Sequence, residues 1–297
     1  MRIAFLGTPT AAVPVLESLV AAGHEVAVVV TQPDRRRGRG LETSPSPLKA
    51  AASELGLVVS HDLADVRKSG VPLAVVVAYG AIVPAEVLEH VVMLNVHFSL
   101  LPRWRGAAPV ERAILAGDER TGVCIMGLEA TLDTGPIYAQ ASTEVDAKSA
   151  SELTAELSQL GAQLLVELLP NEHLPAPHPQ DGVVTYARKL TSADHRLDPD
   201  LTADQLARVV RIGPAVARVS GRRLRVHRAT VRPGVVARRG EVLINDDGVL
   251  LGAADGVLRL DEVQPDGGRA MTAAAWLAGA RLDSGDRQWS RITDTEP

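Results

Sequence analysis

Strand-like and helix-like segments alternate along the first half of this chain, and no other feature restricts the fold as much. Short runs rich in Val, Ile and Leu occupy residues 2–6, 25–31, 73–78, 91–96 and 121–126. Amphipathic stretches with helical spacing follow Pro9 and Pro47, occupy 84–89, and form a longer segment at 149–169. Because such alternation packs helices against a mostly parallel sheet, we predict a Rossmann-like α/β domain with helices on both faces.

Three polar side chains stand at the end of the fourth strand-like run. Asn95, His97 and Ser99 alternate with apolar residues before Pro102. Because successive strand side chains point to opposite faces, we expect these three to share one face. Ligands of open α/β sheets bind at the carboxyl ends of strands. An amide, an imidazole and a hydroxyl at such an end predict a site that polarises a carbonyl group.

His97 and Asp133 each permit a simpler interpretation. A single histidine in an apolar run is more often a hydrogen-bonded core residue than a catalytic group. An aspartate just before Gly135 commonly caps a turn. The tripeptide Asp133-Thr134-Gly135 also matches the aspartic proteases, but their dyad needs two such carboxylates, and this α/β pattern has one copy.

The segment from Asn95 to Pro109 resembles the signature of the folate-dependent formyltransferases. Its second part, Arg103-Trp104-Arg105-Gly106-Ala107-Ala108-Pro109, is similar to the version in members that act on charged initiator tRNA. Further blocks follow the family's order at residues 2–9, 31–35, 45–49, 78–80, 132–135 and, more weakly, 185–190. The resemblance therefore covers about the first two thirds of the chain.

The resemblance implies a catalytic set formed by Asn95, His97 and Asp133. Formyl transfer to an amine passes through a tetrahedral species with negative charge on oxygen, which an amide N–H and an imidazolium can stabilise. A carboxylate beside the ring would favour its protonated form and could relay the amine's proton through water. With the resemblance, the catalytic interpretation is favoured over a core histidine and a turn-capping aspartate.

The resemblance also implies 10-formyltetrahydrofolate as the formyl donor, consumed as a cosubstrate, with no metal. The expected folate-binding residues are Ser99, Leu100, Leu101 and Pro102 after the catalytic strand, and Tyr79 and Gly80 after another buried strand. An ordinary strand-to-helix connection is the alternative for residues 78–83. Residues 7–9 lack the spacing of a phosphate-binding loop, so we expect a structural turn there.

Arginine is concentrated in two places, although the formal net charge of the chain is −5. Residues 35–40 form a basic, glycine-flanked loop, and residues 205–240 contain ten arginines without Asp or Glu. Both are suited to a phosphate backbone. The alternatives are a solvated loop and a general preference for arginine over lysine. The resemblance implies that the loop reaches the tRNA acceptor end, and the predicted tRNA-binding residues are Arg35, Arg36, Arg37, Arg39, Arg222, Arg223 and Arg225.

Three features depart from the pattern of the resembled family. Leu41-Glu42 stands where basic residues are common, and Phe98 stands where a small residue is commoner. The region around 212–214 lacks an expected aromatic cluster. The departures bear mainly on the tRNA contacts.

The sequence changes character after Leu190. A polar stretch at 191–204 precedes short strand-like runs at 223–226, 241–244 and 257–260, which glycine turns separate. Such runs predict a small β-rich barrel or sandwich, and the resemblance implies an OB-like domain. We predict a catalytic domain at 1–190, a linker at 191–204 and a tRNA-binding domain at 205–297. The proline-rich residues 174–179 are predicted to form an extended loop.

Composition argues against several other classes of protein. The single cysteine, Cys124, permits neither an intrachain disulfide nor a cysteine-rich metal site. His173 and His178 lack acidic partners at ligand spacing, so no metal is expected. The amino terminus does not resemble a signal peptide, and the most apolar region, 71–83, is too short to span a bilayer. We expect a cytoplasmic monomer with no membrane or DNA partner.

Together these features predict transfer of a formyl group from 10-formyltetrahydrofolate to the α-amine of methionine esterified to initiator tRNA. One alternative is a formyltransferase for a small-molecule amine, such as a nucleotide sugar or purine precursor. Another is a non-catalytic RNA-binding protein on the same scaffold. The basic segments disfavour the first alternative, and the intact catalytic set disfavours the second.

Overall fold

The computed structural model describes residues 1–36, 43–169, 174–280 and 287–292. Backbone contacts divide the chain into two compact units. The first unit comprises Met1–Val110, Glu119–Val145 and Glu152–Arg188, and the second comprises Glu111–Asp118, Asp146–Ser151 and Lys189–Pro297. Among the described residues, no helix is both long and apolar enough to cross a membrane.

The first 188 residues contain eleven strands and six helices in the described ranges. The strands are β1 (Arg2–Gly7), β2 (Glu25–Val30), β3 (Arg35–Arg36), β4 (Thr43–Ser44), β5 (Val59–Ser60), β6 (Leu73–Val77), β7 (Val92–His97), β8 (Arg105–Gly106), β9 (Arg120–Gly127), β10 (Ile137–Glu144) and β11 (Tyr186–Ala187). The helices are α1 (Val13–Ala21), α2 (Pro47–Glu54), α3 (Ala64–Lys68), α4 (Ala85–Leu88), α5 (Pro109–Ala116) and α6 (Ala150–Leu168), and a 3-10 turn, Thr10–Ala12, precedes α1.

Seven strands of the first unit form one sheet in the order β10-β9-β7-β6-β1-β2-β5. The pairs among β7, β6, β1, β2 and β5 are parallel, whereas β9 is antiparallel to both β7 and β10. All five residues of β6 are buried, as a strand covered on both faces requires. The predicted Rossmann-like, mostly parallel sheet is therefore confirmed.

Strand β10 was not predicted, because its sequence has no continuous apolar run. Inward and outward positions alternate along it, and Gln140 and Glu144 are exposed. This pattern is typical of an antiparallel strand at a sheet edge, where one face remains solvated. The antiparallel register places Cys124 of β9 opposite His97, and the last residue of β9, Gly127, opposite Leu94 near the start of β7.

The second unit is built on antiparallel strands with two packed helices. Its elements are the 3-10 helix Ser192–His195, α7 (Ala203–Arg211), β12 (Ala215–Val219), β13 (Arg222–Val231), β14 (Val242–Asn245), β15 (Gly248–Gly252), β16 (Val257–Pro265), β17 (Met271–Thr272), α8 (Ala273–Ala280) and β18 (Trp289–Ser290). The main path is β14-β15-β16-β13-β12-β18, and β17 pairs with β16.

The two ends of this path approach each other, so the sheet is nearly closed. Glu241 and Gln288 form a bridge, and the Trp289 amide donates to the Gly240 carbonyl at 2.8 Å. Alternate residues of β12 and β13 point into an apolar core that also contains Leu206 of α7. The predicted β-rich, OB-like C-terminal domain is thus confirmed as a nearly closed antiparallel barrel.

Candidate active site

Strand β7 carries two of the predicted catalytic residues at its carboxyl end. Asn95 is half-buried, and His97, the last residue of the strand, is 5% exposed. Their spacing of two residues places them on one strand face. The expectation that Ser99 shares this face is not met, because the strand ends at His97. Ser99 instead donates a hydrogen bond of 2.6 Å to the Arg103 carbonyl and so shapes the loop.

The imidazole of His97 lies between two oxygen atoms. Its Nε2 is 2.9 Å from the Trp104 carbonyl oxygen, and its Nδ1 is 3.7 Å from Oδ2 of Asp133. A neutral ring carries one N–H, whereas a protonated ring carries two donors. Because the carbonyl can only accept, Nε2 is the donor, and Nδ1 is left facing the Asp133 carboxylate.

Asp133 is held from several directions although it is on a loop. It is 7% exposed and has a left-handed backbone, with φ of +51°. Its Oδ2 accepts a hydrogen bond of 2.8 Å from the Gly106 amide, and its carbonyl accepts one of 2.8 Å from the Gln180 side chain. The carboxylate therefore contacts a distant segment rather than capping its own turn. A buried, strained residue held in this way is typical of a functional site.

The short parallel pair β8–β11 positions the groups that hold His97 and Asp133. The Trp104 amide donates to Oγ1 of Thr185 at 2.9 Å, and the Arg105 amide donates to the Thr185 carbonyl at 2.9 Å. Gly106 pairs with Ala187 and has a φ of +126°. These contacts fix the Trp104 carbonyl and the Gly106 amide in place.

Gly106 is required by both its conformation and its surroundings. A Cβ at this position would lie 2.6 Å from the Ala187 carbonyl oxygen. We expect Gly106→Ala to lower kcat by about tenfold or more and to reduce thermal stability, since the shifted backbone would withdraw its amide from Asp133. Steady-state kinetics and thermal melting measure both effects.

Gly23→Ala is the matched control for that substitution. Gly23 also has a positive φ, +83°, but among the described residues no atom other than those of its chain neighbours lies within 4 Å of its added Cβ. It should lower stability through backbone strain alone and leave kcat unchanged. Equal losses of kcat in the two variants would show that the contact between Gly106 and Asp133 is unimportant.

Gln180 is a site residue that the sequence interpretation missed. Its amide donates to the carbonyls of Asp133 and Gly135, each at 2.8 Å, and its Oε1 accepts from the Arg105 guanidinium at 3.0 and 2.5 Å. It follows the extended proline-rich segment, where no periodic pattern marks it. Thr185 was noted only as part of a weakly resembling block.

A cavity of about 250 Å³ opens at the carboxyl ends of β1, β2 and β6. Its lining consists of Thr8, Pro9, Gln32, Pro33, Ser46, Ala78, Tyr79 and Gly80. Residues 7–9 were expected to be a structural turn, and the Thr8 hydroxyl does donate to the Tyr79 carbonyl at 2.9 Å. Thr8 and Pro9 also line the cavity. Burial raises the pKa of the Tyr79 hydroxyl, so this group remains a hydrogen-bond donor at neutral pH.

The predicted folate-binding residues do not all lie together. Tyr79 and Gly80 line the cavity, whereas the segment from Ser99 to Pro102 follows β7 and is absent from the lining. Leu101 is buried in an apolar cluster with Cys124 and Met126. Burial raises the pKa of the Cys124 thiol to about 11, so it is not a thiolate nucleophile beside His97, its partner in the strand register.

The predicted basic loop is described only at its base. The backbone of Arg35 and Arg36 forms β3, which pairs with β4, whereas Arg37 and Arg39 lie outside the described residues. The adjoining chain is held by a buried hydroxyl contact of 2.9 Å between Thr31 and Ser46. His173, for which no metal was expected, also lies outside the described residues.

Six of the ten arginines of residues 205–240 fall into two groups. Some pair with acids from other segments: Arg228 with Glu262 at 3.7 Å, Arg239 with Asp200 at 3.0 Å, and Arg232 with Asp247. Arg222, Arg223 and Arg225 of β13 have no acidic partner among the described residues, and Arg222 and Arg225 are exposed. The absence of acids from this segment therefore does not leave all its arginines unpaired.

Both parts of the chain match known protein families. Residues 1–169 match the family described as formyl transferase, and residues 189–281 match formyl transferase, C-terminal domain. The methionyl-tRNA formyltransferase of Rhizorhabdus wittichii is 46% identical over an alignment that covers 96% of this chain and 97% of the relative.

Solved structures share the fold at lower identity. A methionyl-tRNA formyltransferase from Clostridium thermocellum has a TM-score of 0.58 and 17% identity, covering 79% of this chain and 95% of that chain. WlaRD, a sugar 3N-formyl transferase solved in the presence of dTDP and 5-N-formyl-THF, has a TM-score of 0.67 and 14% identity, covering 88% and 97%.

Proposed function

The chain belongs to the formyl transferase family, and we propose that 10-formyltetrahydrofolate is the donor of the formyl group that it transfers to the α-amine of methionine on initiator tRNA. Relatives of nearly the same length are named methionyl-tRNA formyltransferases. The enzyme is accordingly a formyltransferase that acts on methionyl-tRNA in translation initiation. These relatives favour neither the small-amine alternative nor a non-catalytic RNA-binding protein.

The buried pair of His97 and Asp133 beside Asn95 is the observation that carries this proposal. The α-amine attacks the formyl carbon, a new C–N bond forms, and negative charge develops on the former carbonyl oxygen. Asn95 donates its side-chain N–H to that oxygen. Because Nε2 of His97 is engaged by the Trp104 carbonyl, Nδ1 is the ring nitrogen that serves the reacting groups.

Asp133 is the proposed acceptor of the proton that the attacking amine loses. Its carboxylate favours the imidazolium and accepts the amine's proton through a water molecule. The tetrahedral species then collapses, the bond between the formyl carbon and N10 of the folate breaks, and N10 takes up the proton. Tetrahydrofolate and formylmethionyl-tRNA leave.

We place the folate against two groups of residues. Tyr79 and Gly80 contribute from the cavity at the end of β6, and Ser99, Leu100, Leu101 and Pro102 contribute from the loop after β7. A folate-type donor is supported by the family and by folate-bound structures that share this fold. The proposal includes no metal, and the described residues contain no cluster of three or more His, Cys, Asp or Glu placed to hold one.

The tRNA is proposed to bind through two sets of arginines. Arg35, Arg36, Arg37 and Arg39 of the basic loop contact the acceptor end, and Arg222, Arg223 and Arg225 of β13 contact the phosphate backbone. In this arrangement residues 1–190 are the catalytic domain, 191–204 the linker and 205–297 the tRNA-binding domain. The protein is proposed to work as a cytoplasmic monomer without a membrane or DNA partner.

A transfer assay tests the overall function. The purified protein is incubated with 10-formyltetrahydrofolate and either methionyl initiator tRNA or free methionine, and the formylated products are separated. We expect product on the tRNA and little on free methionine. Formylation of neither acceptor would overturn the proposal, and efficient formylation of free methionine would overturn the role of the tRNA.

Salt dependence tests the β13 arginines. Replacing Arg222, Arg223 and Arg225 together by Gln should lower tRNA affinity and reduce the slope of log Kd against log salt by up to about three units. The reason is that each phosphate contact releases counterions. Filter binding or fluorescence titration at several salt concentrations measures the slope.

The matched control removes three arginines that already have acidic partners. Replacing Arg228, Arg232 and Arg239 by Gln changes the net charge equally, but their charges are paired with Glu262, Asp247 and Asp200. The slope of this variant should remain near that of the wild type. The same reduction in both variants would indicate a dependence on net charge rather than on the three arginines that lack acidic partners among the described residues.

A further inference from the structure

Tyr186 differs from the other aromatic residues of the chain in its exposure. The chain contains three Trp, three Tyr and two Phe, all at positions that the structure describes. The other seven are buried or half-buried, whereas Tyr186 is 63% exposed. Tyr186 is therefore the one aromatic residue of this chain that is exposed to solvent. The residues around it indicate what the exposed ring can bind.

The backbone on both sides of Tyr186 is firmly held. Thr185 contacts the amides of Trp104 and Arg105, and the Ala187 carbonyl accepts a hydrogen bond of 2.8 Å from the Ala107 amide. Ala187 itself is 1% exposed. The exposure of the Tyr186 ring is therefore not a sign of a loose segment, because the ring projects from an anchored strand.

The Tyr186 ring is on the same side of the β8–β11 pair as the network around Asp133. Tyr186 and Arg105 are directly paired in a parallel register, so their side chains point to the same face. The Arg105 guanidinium donates to Gln180, whose amide donates to the Asp133 carbonyl. The path from Tyr186 to Asp133 crosses one strand spacing to Arg105, one residue step to Gly106 and the hydrogen bond from the Gly106 amide to the carboxylate. These steps put the Cα atom of Tyr186 on the order of 10 Å from the Asp133 carboxylate.

In the acceptor substrate, the distance between the reacting amine and the terminal base is comparable to the distance between Asp133 and Tyr186. In methionyl-tRNA an ester and a ribose separate the α-amine from the 3′-terminal adenine. Exposed aromatic rings bind unpaired bases by stacking. Arg103 and Arg105 lie in the adjoining segment, and positive charge there complements the terminal phosphates.

We propose that the Tyr186 ring forms a stacking platform for the 3′-terminal adenine of methionyl-tRNA and so places the amine beside Asp133. This inference rests on the proposed function and identifies how the acceptor end is bound. The stack recognises the terminal nucleotide, and it is separate from the phosphate contacts of β13.

Three substitutions distinguish stacking from simple apolar contact. Tyr186→Ala and Tyr186→Leu should each lower kcat/KM for methionyl-tRNA at least about fivefold, mainly through KM, because both remove the π-face. Tyr186→Phe keeps the ring and should remain within about twofold of the wild type. Equal activity of the Ala and wild-type proteins would overturn the proposal, as would wild-type activity of the Leu variant.

A substrate without the base tests the partner directly. A methionylated acceptor minihelix ending in an abasic ribose should be a poorer substrate for the wild type, and Tyr186→Ala should not lower its kcat/KM further. Loss of the same factor on the abasic and normal minihelices would overturn the proposal, because Tyr186 would then act on something other than the adenine.

A binding measurement separates this inference from the transfer reaction. An uncharged minihelix with 2-aminopurine in place of the terminal adenine should lose fluorescence on binding the wild-type and Phe proteins, and should lose less on binding the Ala and Leu proteins. If the wild type formylates no acceptor, the proposed function fails, and this quenching still decides the stacking. Equal quenching at saturation by all four proteins would overturn it.

Discussion

His97→Ala should lower kcat by about a hundredfold or more while leaving folate affinity little changed. The imidazole lies with Nδ1 3.7 Å from the Asp133 carboxylate, so its loss removes a donor that acts mainly in the transition state. Single-turnover formylation of methionyl-tRNA measures the chemical step, and equilibrium titration measures folate binding.

His24→Ala is the matched control for this variant. His24 is also a buried histidine, and burial, together with the neighbouring amino-terminal charge, lowers the pKa of its ring. We expect it to affect stability without changing the rate of transfer. A near-wild-type rate for His97→Ala would instead identify His97 as a core histidine that serves only to bind the Trp104 carbonyl.

Asp133→Asn should also reduce turnover, by about a hundredfold, with little loss of thermal stability. Asparagine tolerates the left-handed backbone at φ of +51°, and its side-chain oxygen can still accept from the Gly106 amide. What it lacks is the negative charge that favours the imidazolium and the capacity to accept a proton. The variant therefore isolates the chemistry of the carboxylate from its structural contacts.

Two measurements decide the role of Asp133. The formylation rate and the thermal midpoint are compared for the wild type, Asp133→Asn and Asp133→Ala. We expect both variants to be slow, and Asp133→Ala to be less stable because it also loses the contact with Gly106. An Asn variant that turns over normally would show that the residue is important for its loop and not for the reaction.

The sheet of the first unit could be predicted well from sequence because its signal is local. The run at 73–78 consists of consecutive apolar residues, and β6 is buried along its whole length. The spacing of Asn95 and His97 likewise requires a shared face in any strand that contains both. Strand β10 escaped prediction because an edge strand with one solvated face carries little apolar signal.

The candidate site was predicted less completely. The resemblance brought Asn95, His97 and Asp133 into one set, and the structure places His97 and Asp133 together. Their catalytic role stays a prediction that the two variants test. Ser99 does not share the strand face of Asn95 and His97, because β7 ends at His97 and a strand that reached residue 99 would have been needed. Gln180 had no local signal, since it acts through residues far from it in sequence.

For the arginines of residues 205–240, the sequence indicates the charge of the segment, but only the fold determines which of them pair with acids. Its sequence contains ten arginines without an acid, which predicted a phosphate-binding surface. Folding brings Glu262, Asp247 and Asp200 to three of these arginines and leaves Arg222, Arg223 and Arg225 unpaired with acids among the described residues. The choice between the two groups depends on which strands become neighbours.

The amino-acid sequence by itself determined the alternating elements, the mostly parallel sheet, the family signature and the strand face shared by Asn95 and His97. Each of these depends on residues close together in the chain, where hydrophobic periodicity and dihedral preferences act. Only the tertiary structure decided that the Trp104 carbonyl and Asp133 flank the imidazole, that Gln180 holds the Asp133 loop, and that Tyr186 projects beside them. Those contacts join distant segments, and packing and loop closure, rather than local preference, bring such segments together.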